Sequence, residues 1–117
     1  MAEPERLICV ASDLVDQGRG VRFELERYGK PHPAFVVRYN GTPQAFLNQC
    51  GHVPVELDWQ EGEFFDDSRL YLICSTHGAL YHPASGHCLG GRCAGRGLIP
   101  VPVVERDGHI YLIETAP

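Results

Sequence analysis

The sequence predicts an all-β fold, an antiparallel sandwich or small barrel. Three observations carry that expectation. Apolar segments alternate with period two or run as β-branched and aromatic stretches, turn signals punctuate them at short spacing, and no strand–helix–strand alternation is present. Thirteen Gly and nine Pro in 117 residues supply the turns that many short strands need.

The elements follow in order. Residues 7–11 are a short apolar run. Val21, Phe23 and Leu25 alternate with Arg22 and Glu24, the pattern of a half-buried strand. Residues 34–39 are rich in β-branched and aromatic side chains, Asn40-Gly41 is a strong hairpin signal, and 44–48 read as the return strand. Residues 70–73 and 79–82 read as two further strands, separated by Cys74-Ser75-Thr76-His77-Gly78 and followed by Pro83-Ala84-Ser85-Gly86 as a turn. Residues 99–105, Asp107-Gly108 and 109–114 form a closing hairpin, with Pro100 and Pro102 demoting its first strand to an edge or a bulge. Only residues 12–17 offer a helical turn, with Ser12 as its N-cap. Residues 56–67 hold six acidic side chains and no basic one and read as a long, solvated loop.

Composition bounds the function. The length is that of one domain, and 44% apolar against 21% charged residues is a globular balance. A net charge of −5 is the opposite of a nucleic-acid footprint. No apolar run approaches the roughly 20 residues of a membrane span. The first residues, Met1-Ala2-Glu3-Pro4-Glu5-Arg6, lack the basic and apolar regions of a secretory signal, so the expected location is cytoplasmic.

Five cysteines (Cys9, Cys50, Cys74, Cys88, Cys93) and six histidines then carry the chemistry. An odd cysteine count in a reducing compartment points to metal before disulfides. The informative pattern is Cys50-x-His52 followed by Cys74-x-x-His77, each at a strand end. Two sulfurs and two nitrogens suit zinc or an iron–sulfur centre. Zinc fingers usually pair Cys with Cys and His with His. Here each motif mixes one of each, the arrangement of a cluster in which two Cys bind one iron and two His the other.

On these residues the chain resembles the Rieske-type [2Fe–2S] ferredoxins, in their soluble bacterial form. The segments that carry the resemblance are Asn48-Gln49-Cys50-Gly51-His52, Cys74-Ser75-Thr76-His77-Gly78-Ala79-Leu80-Tyr81, Gly86-His87-Cys88, Gly90-Gly91-Arg92-Cys93 and Leu98-Ile99-Pro100-Val101. Together they span about 7–114. The resemblance implies a single domain over 1–117. An antiparallel β-sandwich base, about 1–48 and 94–117, would carry a small cluster-binding subdomain, about 49–93. It implies one [2Fe–2S] cluster held by Cys50, His52, Cys74 and His77.

There are departures from the family pattern. The gap of 21 residues between His52 and Cys74 is longer than usual, and the acidic stretch accounts for the excess. Such an insertion costs little closure entropy and offers a partner surface. High-potential relatives carry an extra Cys in each ligand loop, joined as a disulfide; the matching positions here are Val55 and Thr76. Those relatives place a Ser two residues after the second ligand His, bonded to a cluster sulfide, where this chain has Ala79. Tyr81 matches a family tyrosine that bonds a ligand sulfur and pushes the other way. The expected midpoint potential lies in the lower half of the Rieske range of about −150 to +300 mV.

Other residues carry blander readings. His82 and His87 read as surface turn histidines. Cys88 and Cys93 read first as buried structural thiols, with a local disulfide or a second site as alternatives. Trp59 reads as packing over the acidic loop, and Arg92 and Arg96 as either structural or docking charges. No Ser/His/Asp signature and no GxGxxG loop is present, so the expected role is electron transfer without catalysis. The leading reading is a soluble one-electron carrier, similar to ferredoxins that pass electrons from a flavin reductase to an oxygenase. The alternatives are a small redox subunit of a nitrite-reductase type enzyme and a zinc-stabilised interaction domain. The length leaves no room for the mononuclear iron domain of an oxygenase α subunit.

Overall fold

A computed structural model of the chain describes residues 5–27, 29–49, 56–58, 60–74, 78–90 and 97–113. Among the described residues ten strands form three antiparallel sheets. β1 (Glu5–Val10), β9 (Val103–Arg106) and β10 (His109–Ile113) make one sheet in the order β1-β10-β9. β2 (Val21–Arg27), β3 (Lys30–Tyr39), β4 (Thr42–Leu47) and β8 (Pro100–Val101) make the second, in that order. β5 (Leu72–Cys74), β6 (Ala79–Tyr81) and β7 (Cys88–Gly90) make a small third sheet.

The period-two rule explains how these sheets stack. Residues 34–37 of β3 are buried without a break, so alternate side chains point into two different cores. Ala34 and Val36, with Ala45 and Leu47 of β4, join Leu25, Val101, Ile110 and Leu112 in a core against the first sheet. Phe35 and Val37, with Phe46 of β4, face the other way and join Leu72, Cys74, Ala79, Tyr81, Leu57, Phe64 and Leu98. The second sheet is the middle layer. A near-continuous apolar run is what burial on both faces requires.

The turns hold as expected at both hairpins. Asn40 and Gly41 adopt φ of 52° and 80°, Asp107 and Gly108 φ of 53° and 78°, the left-handed pairs that match strand twist. Two expectations change. The helical turn over 12–17 is only a 3-10 turn, Ala11–Asp13, whose N-cap position is Val10 and has no side-chain cap, so Ser12 does not serve. The single strand expected over 99–105 is two strands. Pro102 separates β8, which pairs with β4, from β9, which pairs with β10, so the chain changes sheets there. A proline cannot donate to a ladder, and the break falls where the ladder changes partner. β7 lies in the Gly-rich stretch that carried no strand expectation.

Candidate metal centre

Of the four predicted ligands the structure describes Cys74; Cys50, His52 and His77 lie outside the described residues, as do Val55, Trp59, Thr76, Arg92, Cys93 and Arg96. Cys74 ends β5 directly opposite Ala79 of β6. The Gly78 N–H donates to the Cys74 carbonyl at 2.7 Å, and Gly78 has φ of 71° in the left-handed region. A Cβ there would meet nothing within 4 Å, so glycine is favoured for its backbone freedom rather than for space. Cys74 and Gly78 therefore flank the connection between two paired strands. The Cys74 side chain is fully buried and shares its core with Phe35, Phe64 and Tyr81. Ala79 and Tyr81 lie on the same buried face as Cys74, consistent with their alternation along β6.

The other motif leaves the end of β4. Asn48 stays on the base through its N–H, which donates to the Pro33 carbonyl at 2.8 Å. Its side chain is buried, with Nδ2 donating to Asp58 Oδ1 at 3.0 Å and Oδ1 accepting the Leu57 N–H at 2.8 Å. The Asp58 carboxylate has no exposed surface and also accepts the Gly62 N–H at 3.0 Å. Arg22 of β2 reaches it from Nε at 3.6 Å and pairs with Glu56 and Glu61 as well. Burial acts to lower the Arg22 pKa, but the hydrogen bond to Glu56 and the charges of Asp58, Glu56 and Glu61 outweigh it and hold the guanidinium above its ordinary value.

The acidic stretch is accordingly not the solvated loop the sequence predicts. Leu57 and Phe64 are fully buried, and Phe65 bridges Leu72 beside β5. Phe64 stacks on Phe35 with ring centroids 3.9 Å apart at 12°. The overlooked signal was the apolar residues inside the acidic run, Leu57, Phe64 and Phe65, together with a lone Asn ahead of the first motif.

His82 and His87 sit on a surface turn as expected. The His82 N–H donates to the His87 carbonyl at 2.9 Å, the Gly86 N–H donates to the His82 carbonyl at 2.8 Å, and the His82 ring meets Tyr39 edge-on. Cys88 differs from its leading expectation of a thiol: it is disulfide-bonded, and it packs against the core that holds Cys74. Cys9 is half-buried at a bulge in β1, and burial followed by the nearby Asp13 pushes its thiol pKa up. Among the described residues no group of three or more His, Cys, Asp or Glu is arranged to hold a metal.

A fully buried thiol at a strand end, in a chain whose remaining motif residues are one Cys and two His, fits a mixed sulfur–nitrogen cluster and offers little to a phosphate or nucleotide.

Comparisons with known proteins agree. The family model for the Rieske [2Fe-2S] domain matches residues 6–110. No curated protein matches. Among solved structures, a chain from a complex of reduced oxygenase and oxidised ferredoxin in carbazole 1,9a-dioxygenase is similar at TM-score 0.72 and 22% identity, covering 93% of this chain and 92% of that one. The ferredoxin of carbazole 1,9a-dioxygenase from Nocardioides aromaticivorans IC177 is similar at TM-score 0.71 and 18% identity, covering 95% and 98%. The terminal oxygenase of carbazole 1,9a-dioxygenase from Novosphingobium sp. KA1 is similar at TM-score 0.75 and 18% identity, covering 99% of this chain but 31% of the oxygenase. With the buried Cys74 at its strand end and the family match across nearly the whole sequence, the chain belongs to the Rieske [2Fe–2S] domain family, and its cofactor is a one-electron [2Fe–2S] cluster.

Proposed function

We propose that Cys50 and Cys74 bind one iron and His52 and His77 the other. In this reading the chain carries single electrons from a reductase, such as a flavin reductase, to an oxygenase or similar acceptor in the cytoplasm. The base of about 1–48 and 94–117 then presents a cluster-binding subdomain of about 49–93. The cluster held by Cys50, Cys74, His52 and His77 would supply a one-electron donor and acceptor. The chain's own residues do the rest. Cys74 supplies a thiolate from a fully buried position at the end of β5, and Asn48 anchors the start of the first motif to β3 through Pro33. No substrate pocket or catalytic base is required of it, and its work is to hold the cluster and meet its partners.

The observation that supports this reading best is the complete burial of Cys74 opposite Ala79 in a mixed Cys/His motif. Ferredoxin–oxygenase assembly in the similar carbazole 1,9a-dioxygenase structure supports the choice of partner. Among the described residues no helix is long and apolar enough to cross a membrane.

The test is the visible spectrum, iron content and reduced-state EPR of anaerobically purified protein. The expected result is a red-brown protein with about two irons and a rhombic signal of low average g. A colourless protein holding zinc after attempted cluster reconstitution would instead mark a structural module. Reduction by a flavin reductase, followed by reoxidation by an oxygenase, then checks the direction of transfer. Co-purification as a fixed subunit of a larger reductase would replace the mobile carrier with a resident one.

A further inference from the structure

Asn48 makes an unusual set of contacts for a residue two positions before a cluster ligand. Its backbone is fixed to Pro33 of β3, while the two ends of its buried side-chain amide bind Asp58 and the Leu57 N–H. One amide thus ties together the two ends of segment 49–56, the stretch that carries Cys50 and His52 in sequence. Asp58 is held in turn by the Gly62 N–H and by Arg22 of β2. A carboxylate with no exposed surface is retained where donors and a cation answer it, and all three are present.

The same stretch reaches the second motif from its other end. The Ile73 N–H donates to the Phe64 carbonyl at 2.9 Å, Phe65 bridges Leu72, and the Asp66 N–H donates to the Tyr71 carbonyl at 2.9 Å. The described residues of this stretch, 57, 58 and 60–66, therefore link the Asn48 contacts to β5, which ends at Cys74. Phe64 anchors the middle of this strut by stacking on Phe35 of the central sheet.

We propose that the Asn48–Asp58 pair, backed by Arg22, is a positioning device that sets the first ligand segment against the second and so governs cluster retention and the cluster's electronic signature. The insertion is a strut between the two halves of the clamp. The inference rests on the cluster reading above. Partners that orient metal ligands from outside the coordination sphere commonly change metal affinity by about 10- to 100-fold when removed.

The test compares the holoprotein with Asn48→Ala, Asp58→Asn and, as a control in the opposite core, Ile110→Val. The readouts are the rate of bleaching in the presence of a ferrous-iron chelator, the midpoint potential and the EPR g values. Asn48→Ala and Asp58→Asn are expected to lose the cluster about tenfold faster and to shift the potential and the g values; Ile110→Val changes none of the three. If Asn48→Ala does not fold, Asp58→Asn decides, because it keeps the side-chain volume. A wild-type protein that holds its cluster, with variants that bleach at the wild-type rate and keep its spectrum, overturns the positioning role alone. A wild-type protein that holds no cluster overturns this inference together with the cluster reading.

Discussion

The two cores on either side of β3 and β4 are built from different materials. The base core, between the first and second sheets, is closed by aliphatic side chains: Leu25, Val36, Leu47, Val101, Ile110 and Leu112. The core on the Cys74 side adds rings to its aliphatics: Phe35, Phe46, Phe64 and Tyr81 pack with Val37, Leu57, Leu72 and Leu98 around Cys74. Regular sheets with strands of up to ten residues flank the first core, and their pleats interdigitate with branched aliphatics. Three-residue strands and an irregular insertion flank the second, and flat rings fill the uneven space they leave. Long, regularly paired strands flank the first core. The other side has three-residue strands, Cys74 at the end of one of them and a buried polar pair, and metal bound by such a site would contribute folding energy to it.

That contrast makes predictions, beginning with the largest effect. Cys74→Ser or His77→Ala abolishes the native cluster and its spectrum. Amide exchange in β3, β4 and β10 stays protected while exchange in β5 and β6 accelerates, as read by mass spectrometry; equal loss of protection in both regions would mean that the two cores are one cooperative unit. Phe64→Ala removes the ring stacked on Phe35 and costs about 3–5 kcal/mol in denaturant unfolding, with a faster loss of cluster absorbance. Ala79→Ser places a hydroxyl opposite Cys74, where the family resemblance puts a donor to a cluster sulfide. A charge-assisted bond worth about 1.5 kcal/mol more to the reduced state raises the midpoint potential by about 65 mV, measurable by redox titration. An unchanged potential would mean that the hydroxyl does not reach the cluster. Ile110→Val, a single methylene lost from the aliphatic core, costs about 0.5–1.5 kcal/mol and leaves spectrum and potential unchanged. A spectral change from that substitution would break the separation between the two sides.

The Cys50-x-His52 and Cys74-x-x-His77 motifs stand out in the sequence because a Cys and a His within a few residues are a local pattern, and the proposed ligand set rests on that pattern. The hairpins at Asn40-Gly41 and Asp107-Gly108 were legible for the same reason, since left-handed turn residues are a property of two adjacent positions. The role of 56–67 was hidden. Six acids signal solvent, and nothing local says that Leu57 and Phe64 reach a core or that Asp58 meets Asn48 and Arg22. Arg22 reads as the polar face of an alternating strand, and only the stacked structure brings Glu56, Asp58 and Glu61 to it.

The sequence by itself determined the β class, most of the strand-forming stretches and the hairpin turns, because periodicity and turn chemistry act over a few residues, and it supplies the Cys/His pattern on which the proposed ligand set rests. Tertiary structure decided which face of β3 serves which core, where the chain changes sheets at Pro102, the disulfide state of Cys88 and the burial of the Asn48–Asp58 pair. Each of these depends on contacts between segments distant in sequence, and their energies exist only once the sheets have stacked.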